Sequence, residues 1–283
     1  MNKITTCVFP VAGYGTRFLP VTKAIPKEML PIVNKPLIDY AVNEAKSGGL
    51  NNMVMVTSKF KPSLENYFRK NITLEKFLRG SSKESLLDDI NYLISNCSFK
   101  FVNQERMLGL GNAISYAEKY ISQESFAVIL PDDLCLTKNN DSVISQMIKI
   151  SEQFPGYSIV AIEEVDFQDV NKYGIISGKS FHNQDRLILV DDMIEKPRAE
   201  DSPSNLAIIG RYILSKDIFD YIRKSEVSIG GEIQITSALA ELAKRKKVLA
   251  YKFKGERIDC GTTDGFVRAN TEIYSRTLSQ INP

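Results

Sequence analysis

Histidine is almost missing: one residue, His182, stands in 283. Catalysis by paired histidines is excluded, and any chemistry must rest on carboxylates, lysine, arginine or a metal. The four cysteines, Cys7, Cys97, Cys135 and Cys260, lie far apart with no CxxC pair. That argues against a zinc site or a disulfide framework and for reduced thiols in a cytoplasmic protein. No run approaches the ~18 apolar residues of a membrane span, and the opening MNKITTCVFPVAG lacks the apolar core of a signal peptide. Nor is there a basic excess. With 36 basic and 34 acidic residues the net charge is +2, unlike a general nucleic-acid binder, although a few well-placed cations suffice for a small phosphate ligand. Internal repeats, low-complexity segments and a clear linker are also absent.

What is present is a chain with 43% hydrophobic residues, enough to bury the core of one large α/β domain, here taken as 1–283. Apolar, β-branched runs at Ile4–Val11, Met53–Thr57, Phe99–Asn103, Phe126–Leu130, Ser158–Glu163, Gly174–Ser177, Arg186–Ile194, Asn205–Leu214 and Val248–Phe253 read as strands. Helical spacing links Leu37, Tyr40, Ala41 and Ala45, ended by Gly48 and Gly49, then Ala113, Tyr116, Ala117 and Tyr120. Further helices are read around Ser63–Arg69, at Ile218–Arg223, Ile233–Lys244 and Asp264–Ser275. Residues 72–98 differ in character. Ser81 and Glu84 form a capping-box pattern, and Leu86, Leu87, Ile90, Leu93 and Ile94 mark one face, predicting a helical insertion beside the sheet. The βα alternation predicts a Rossmann-like, doubly wound, mixed but mostly parallel α/β sheet, with later hairpins forming a small subdomain within about 158–260. Ligands of such sheets sit beyond the carboxyl ends of the strands.

The first strand runs into Pro10-Val-Ala-Gly-Tyr-Gly-Thr-Arg17-Phe-Leu-Pro20-Val-Thr-Lys23. Glycines here admit phosphate oxygens close to backbone amides, and Arg17 and Lys23 add positive charge. Two glycine motifs fail: position 18 is Phe18 where a dinucleotide fingerprint needs glycine, and no GK[ST] follows as a Walker loop requires. Prolines 20, 26 and 31 keep the segment from becoming a helix, so Lys27 is held rather than free. Asp132 and Asp133 follow one strand and Asp259 another. Two such carboxylates could hold a hard cation whose shell water and phosphate oxygens complete. Gln104, in a glycine-containing strand-to-helix turn, can pair with a base edge. Glu195 can accept from sugar hydroxyls, and Lys196 can neutralise a phosphate.

The pattern from Gly13 to Pro31, GxGTRxxPxTxxxxKxMxP in outline, resembles the signature of the sugar-phosphate nucleotidylyltransferases. The resemblance spans nearly the whole chain. It implies that Arg17 and Lys27 bind the triphosphate and stabilise charge on the α-phosphate and departing pyrophosphate. It also implies that Ala12, Gly13, Gly15, Thr16, Gln104 and Gly109 contact the nucleotide, and that Gly174, Glu195 and Lys196 take the sugar phosphate. Asp132 and Asp259 would hold Mg2+; Asp133 stays open as a third ligand. The turn at 103–112 is similar to the base-reading loop of the bacterial UTP-specific branch, which implies UTP and glucose 1-phosphate as substrates and a cytoplasmic homo-oligomer, dimer or tetramer. The segment after Asp259 is too short for the hexapeptide β-helix of some relatives. Two alternatives remain at this point: the same chemistry with another nucleotide or sugar, such as dTTP, and a non-catalytic nucleotide-sugar sensor.

Overall fold

The computed structural model describes residues 3–138, 141–225, 227 and 231–281; Gly230, in the glycine pair before the helix read at Ile233–Lys244, lies outside them. In chain order the strands are β1 (Thr6–Pro10), β2 (Pro31–Ile32), β3 (Lys35–Pro36), β4 (Asn52–Thr57), β5 (Ser98–Asn103), β6 (Ser125–Ile129), β7 (Asp133–Leu136), β8 (Ser158–Glu164), β9 (Gly174–Phe181), β10 (Gln184–Glu195), β11 (Leu206–Ser215), β12 (Val248–Lys252) and β13 (Glu256–Asp259). The α-helices are α1 (Leu37–Ser47), α2 (Pro62–Tyr67), α3 (Ile72–Leu78), α4 (Asp88–Asn96), α5 (Gly109–Ser115), α6 (Val143–Gln153), α7 (Ile218–Lys224), α8 (Ile235–Lys244) and α9 (Thr263–Ile281).

Nine strands form one sheet in the order β5-β4-β1-β6-β11-β8-β12-β10-β9. The pairs β4–β5, β1–β4, β1–β6 and β8–β12 are parallel. β11 runs antiparallel between β6 and β8, so these six parallel-paired strands all point the same way. At the far edge β10 is antiparallel to both β12 and β9, and β9 returns to β11 at Ile175–Ala207. The edge thereby curls into a closed subdomain. Its hairpin turns on His182 and Asn183, φ 51° and 55°, the left-handed pair that a two-residue connection between twisted strands requires.

Alternate side chains of each strand feed opposite layers, as the pleat demands. Cys7, Phe9, Met53, Met55, Ala127 and Ile129 pack with Ile38, Val42 and Ala45 of α1 and Val143, Ile144 and Met147 of α6. Val8, Val54, Val56, Phe126 and Val128 face Ala113 and Ile114 of α5, Phe219 and Ile222 of α7 and Leu239 and Leu242 of α8. Helices cover both faces: the fold is doubly wound and mixed.

Several elements depart from the sequence reading. β9 runs on to Phe181 rather than ending at Ser177, because the polar Lys179 and Ser180 are exposed ladder residues, not a turn. α8 starts at Ile235, not Ile233, because Ile233 is spent on backbone bonds to Leu108 O (2.7 Å) and from Gly111 N (2.9 Å). α5 stops at Ser115 and Tyr120 belongs to a separate 3-10 turn. Within 72–98 the chain forms α3, a 3-10 turn and α4. Glu84 there accepts from Gly80 N, and the Ser81 hydroxyl from Lys83 N, so the two residues cap a turn rather than each other. Leu93 is buried, but Leu86 is exposed. The two-stranded ribbon β7–β13, which carries Asp133 opposite Asp259, was not foreseen.

Candidate active site

Beyond β1 the chain crosses the carboxyl edge of the sheet in three 3-10 turns, Thr16–Phe18, Val21–Lys23 and Lys27–Met29. Pro20 and Pro26 cap the second and third, which keeps them from merging into a helix. Gly15 has φ 66°, and a Cβ there would lie 3.0 Å from the Lys27 Cβ, so only glycine lets the loop close onto Lys27. Phe18 packs edge-on against Phe266 of α9 with ring centroids 5.5 Å apart. Behind the loop, buried Lys61 donates to Val11 O (2.7 Å) and to Glu28 Oε2 (2.8 Å), tying the end of β1 to the Lys27 turn. Burial pushes the Glu28 carboxyl up and the Lys61 ammonium down, each partly opposed by the other's charge.

Lys27 Nζ lies 2.6 Å from Asp132 Oδ2. Burial disfavours both charges, but the pairing outweighs it: Lys27 is raised and Asp132 is held below the ordinary carboxylate range. Arg17 Nη1 reaches Gly261 O at 3.5 Å. A Cβ placed on Gly261 would lie 2.9 Å from Asp259 Oδ1, 3.3 Å from Asp132 Oδ2 and 3.3 Å from Arg17 Nη1. Three expected site residues from three remote segments therefore surround one small space. Burial, then the neighbouring Asp133 carboxylate, pushes Asp259 up. Asp133 itself is engaged on both oxygens, Oδ1 by Arg257 at 2.6 Å and Oδ2 by Gly210 N at 2.7 Å. It braces the ribbon, each of its oxygens accepting one hydrogen bond.

Arg17, Asp132, Asp259, Gly174, Glu195 and Lys196 all line one cleft of about 780 Å³. Glu195 Oε2 accepts from Thr236 Oγ1 (2.9 Å), and Lys196 N donates to Tyr173 O (2.9 Å), fixing the far wall. Gln104 lines a separate groove of about 370 Å³ with Tyr14, Phe60 and Met107, its amide donating to Asn112 Oδ1 at 2.9 Å. Ala12 is buried and Gly13 exposed at the mouth of the loop, and Thr16 is exposed beside them. Gly109 lines neither space; it opens α5 where Leu108 and Gly111 bond to Ile233. Among the described residues no three His, Cys, Asp or Glu side chains gather as a metal site.

A family model described as "Nucleotidyl transferase" matches residues 10–276. The chain belongs to this family. It is 52% identical over 271 residues to a UTP–glucose-1-phosphate uridylyltransferase of Pseudomonas aeruginosa, covering 96% of each chain. To a protein of the same name, numbered 1, from Staphylococcus saprophyticus it is 41% identical, covering 96% of this chain and 93% of the relative. Among solved structures, a UDP-glucose pyrophosphorylase complexed with UDP-glucose superposes with a TM-score of 0.88 at 48% identity, covering 96% of this chain and 99% of that one.

In this nucleotidyl transferase the sequence reading missed the residues that hold the site rather than line it. Arg211 donates to Leu130 O (3.1 Å), Gly210 O (3.0 Å) and Asp133 O (2.6 Å), gripping the turn that presents Asp132 on both sides. Its guanidinium is in turn bound by both carboxylate oxygens of Glu44. A lone arginine in the apolar run Leu206–Ser215 was the one signal available, since a buried charge demands partners.

Proposed function

We propose that this nucleotidyl transferase joins UTP to α-D-glucose 1-phosphate, releasing pyrophosphate and forming UDP-glucose. An oxygen of the sugar phosphate attacks the α-phosphorus in line. That oxygen is already ionised at neutral pH, so no protein base is needed, and catalysis is positioning and charge stabilisation. The observation that carries the reading is the single cleft in which Arg17, Asp132 and Asp259 face Glu195 and Lys196. The uridylyltransferases and the UDP-glucose complex among the relatives support the choice of substrates.

In this reading Lys27 and Arg17 offset charge on the α-phosphate and the leaving pyrophosphate, and the glycine loop Ala12–Thr16 receives the triphosphate. Gln104 in its groove takes the base edge, with Gly109 setting the turn that follows. Gly174, Glu195 and Lys196 receive the sugar phosphate. Asp132 and Asp259 would hold Mg2+. The space over Gly261 that a Cβ would fill, bordered by Asp259 Oδ1 and Asp132 Oδ2, suits a small hard cation. Such an ion supplies further neutralisation of the phosphates. Four free thiols fit a cytoplasmic site of action, and among the described residues no helix is long and apolar enough to cross a membrane. Exposed Ile72, Phe77 and Leu86 on the 72–98 segment offer apolar surface for a homo-oligomer.

A panel of nucleoside triphosphates and sugar 1-phosphates, read by pyrophosphate release with and without magnesium, tests the proposal. UTP with glucose 1-phosphate and magnesium should be the most active combination. Equal turnover with dTTP, or full activity after chelation, would contradict it. The cation site has its own test. Gly261→Ala should raise the magnesium concentration for half-maximal rate by about 10–100-fold, the usual cost of disturbing the surroundings of a metal ligand. An unchanged magnesium dependence would place the ion elsewhere.

A further inference from the structure

Arg257 lies on β13, two residues before Asp259, and its side chain is only 7% exposed. It leaves the strand and meets three other segments. Nη1 donates to Asp133 Oδ1 at 2.6 Å, Nε to Glu163 Oε1 at 2.6 Å and Nη2 to the Tyr173 hydroxyl at 2.9 Å. The guanidinium carbon also sits 5.0 Å from the centroid of the Tyr173 ring. Tyr173 is the residue before Gly174, and its carbonyl accepts from Lys196 N. One guanidinium thus links the strand of Asp259 to the wall expected to receive the sugar phosphate.

We propose that Arg257 is a positioning residue for the sugar phosphate: it fixes Tyr173, and through it the Lys196 turn, relative to Asp259. It also neutralises Asp133 and Glu163, two carboxylates that would otherwise repel an incoming phosphate. Arginine is needed because three partners in different directions require a planar fork; an ammonium on a flexible stem cannot hold all three. The inference rests on the proposed function, since it assumes that a sugar phosphate enters beside Gly174 and Lys196. It adds a division of labour. Arg257 governs the sugar side, whereas the loop with Arg17 and Lys27 governs the triphosphate.

The experiment is steady-state kinetics of Arg257→Gln, Arg257→Lys and Tyr173→Phe, with UTP and glucose 1-phosphate varied separately. Arg257→Gln should raise KM for glucose 1-phosphate by about tenfold or more while KM for UTP stays within about twofold, the loss of a charged hydrogen bond acting on one substrate. Arg257→Lys should recover part of that rise. Tyr173→Phe should raise the same KM by a smaller factor and add little on top of Arg257→Gln, because the two share one path. Thermal melting identifies a misfolded Arg257→Gln, in which case the lysine variant and Tyr173→Phe decide the matter. An unchanged KM for glucose 1-phosphate, equal rises for both substrates, or effects of Arg257 and Tyr173 that simply multiply would overturn the role of Arg257 while leaving the function standing. A wild-type protein that releases no pyrophosphate would instead overturn the function on which the role depends.

Discussion

Replacing Lys27 with alanine is expected to lower kcat about a thousandfold, the cost of removing one positioned charge from a developing anion, with little change in the melting temperature. The contrast follows from where the pair sits. Lys27 and Asp132 side chains are 24% and 27% exposed, so water reaches the carboxylate that the substitution strands, and a partly exposed ion pair contributes little to stability. The loss therefore falls on chemistry. It should also leave the magnesium dependence no weaker. Lys27 Nζ donates to Asp132 Oδ2, and its removal frees that oxygen from a competing cation. Asp132→Asn should behave in the opposite way: the lysine remains, the rate falls, and raising magnesium restores part of it. Measuring kcat, melting temperature and magnesium half-saturation on both variants separates the two roles. A Lys27→Ala enzyme that kept its full kcat would show that the ammonium does not stabilise the transition state.

The parts of this fold that could be read from sequence are those encoded locally. β1, β4, β6 and β8 announce themselves as apolar runs, because a strand covered on both faces has no polar side to show. The loop from Gly13 to Pro31 is legible for a similar reason: its glycines, prolines and cations act within a few residues of one another. The ribbon β7–β13 is not, since four-residue strands far apart in the chain carry no pattern, and Asp133 opposite Asp259 is a fact of pairing alone. Supporting charges are hidden most completely. Glu44 reads as a polar residue on an amphipathic helix, yet its partner Arg211 is 167 residues away. Lys61 reads as a surface lysine before Pro62, yet it is buried against Glu28 and the end of β1. Residues proposed to touch substrate follow motifs; residues that hold them follow the tertiary fold.

Glu44→Ala puts a number on that hidden support: unfolding free energy should fall by about 3–5 kcal/mol, the usual cost of stranding one member of a buried ion pair. Arg211 is 1% exposed and Glu44 9%. Its guanidinium reaches Glu44 through Nε at 3.0 and 3.1 Å and Nη2 at 2.8 Å, and spends its other donors on Leu130, Gly210 and Asp133 carbonyls. Burial opposes the positive charge, but the Glu44 and Asp133 carboxylates outweigh it and bind the proton more firmly than usual. With alanine at 44 the cation cannot escape to water and keeps only neutral carbonyl partners. Glu44 also accepts from Ile144 N, at the start of α6, so that helix end loses a partner too. Urea denaturation of Glu44→Ala measures the loss. Glu44→Leu combined with Arg211→Met should cost less than Glu44→Ala alone, because apolar replacement removes both charges instead of isolating one. Activity should follow the turn: the carbonyls of Leu130 and Asp133 bracket Asp132, so a slackened Arg211 should also raise the magnesium requirement of whatever folded enzyme remains. A Glu44→Ala protein within about 1 kcal/mol of wild type, as at an ordinary surface site, would mean that Arg211 finds a new partner and that the Asp132 turn stands without this clamp.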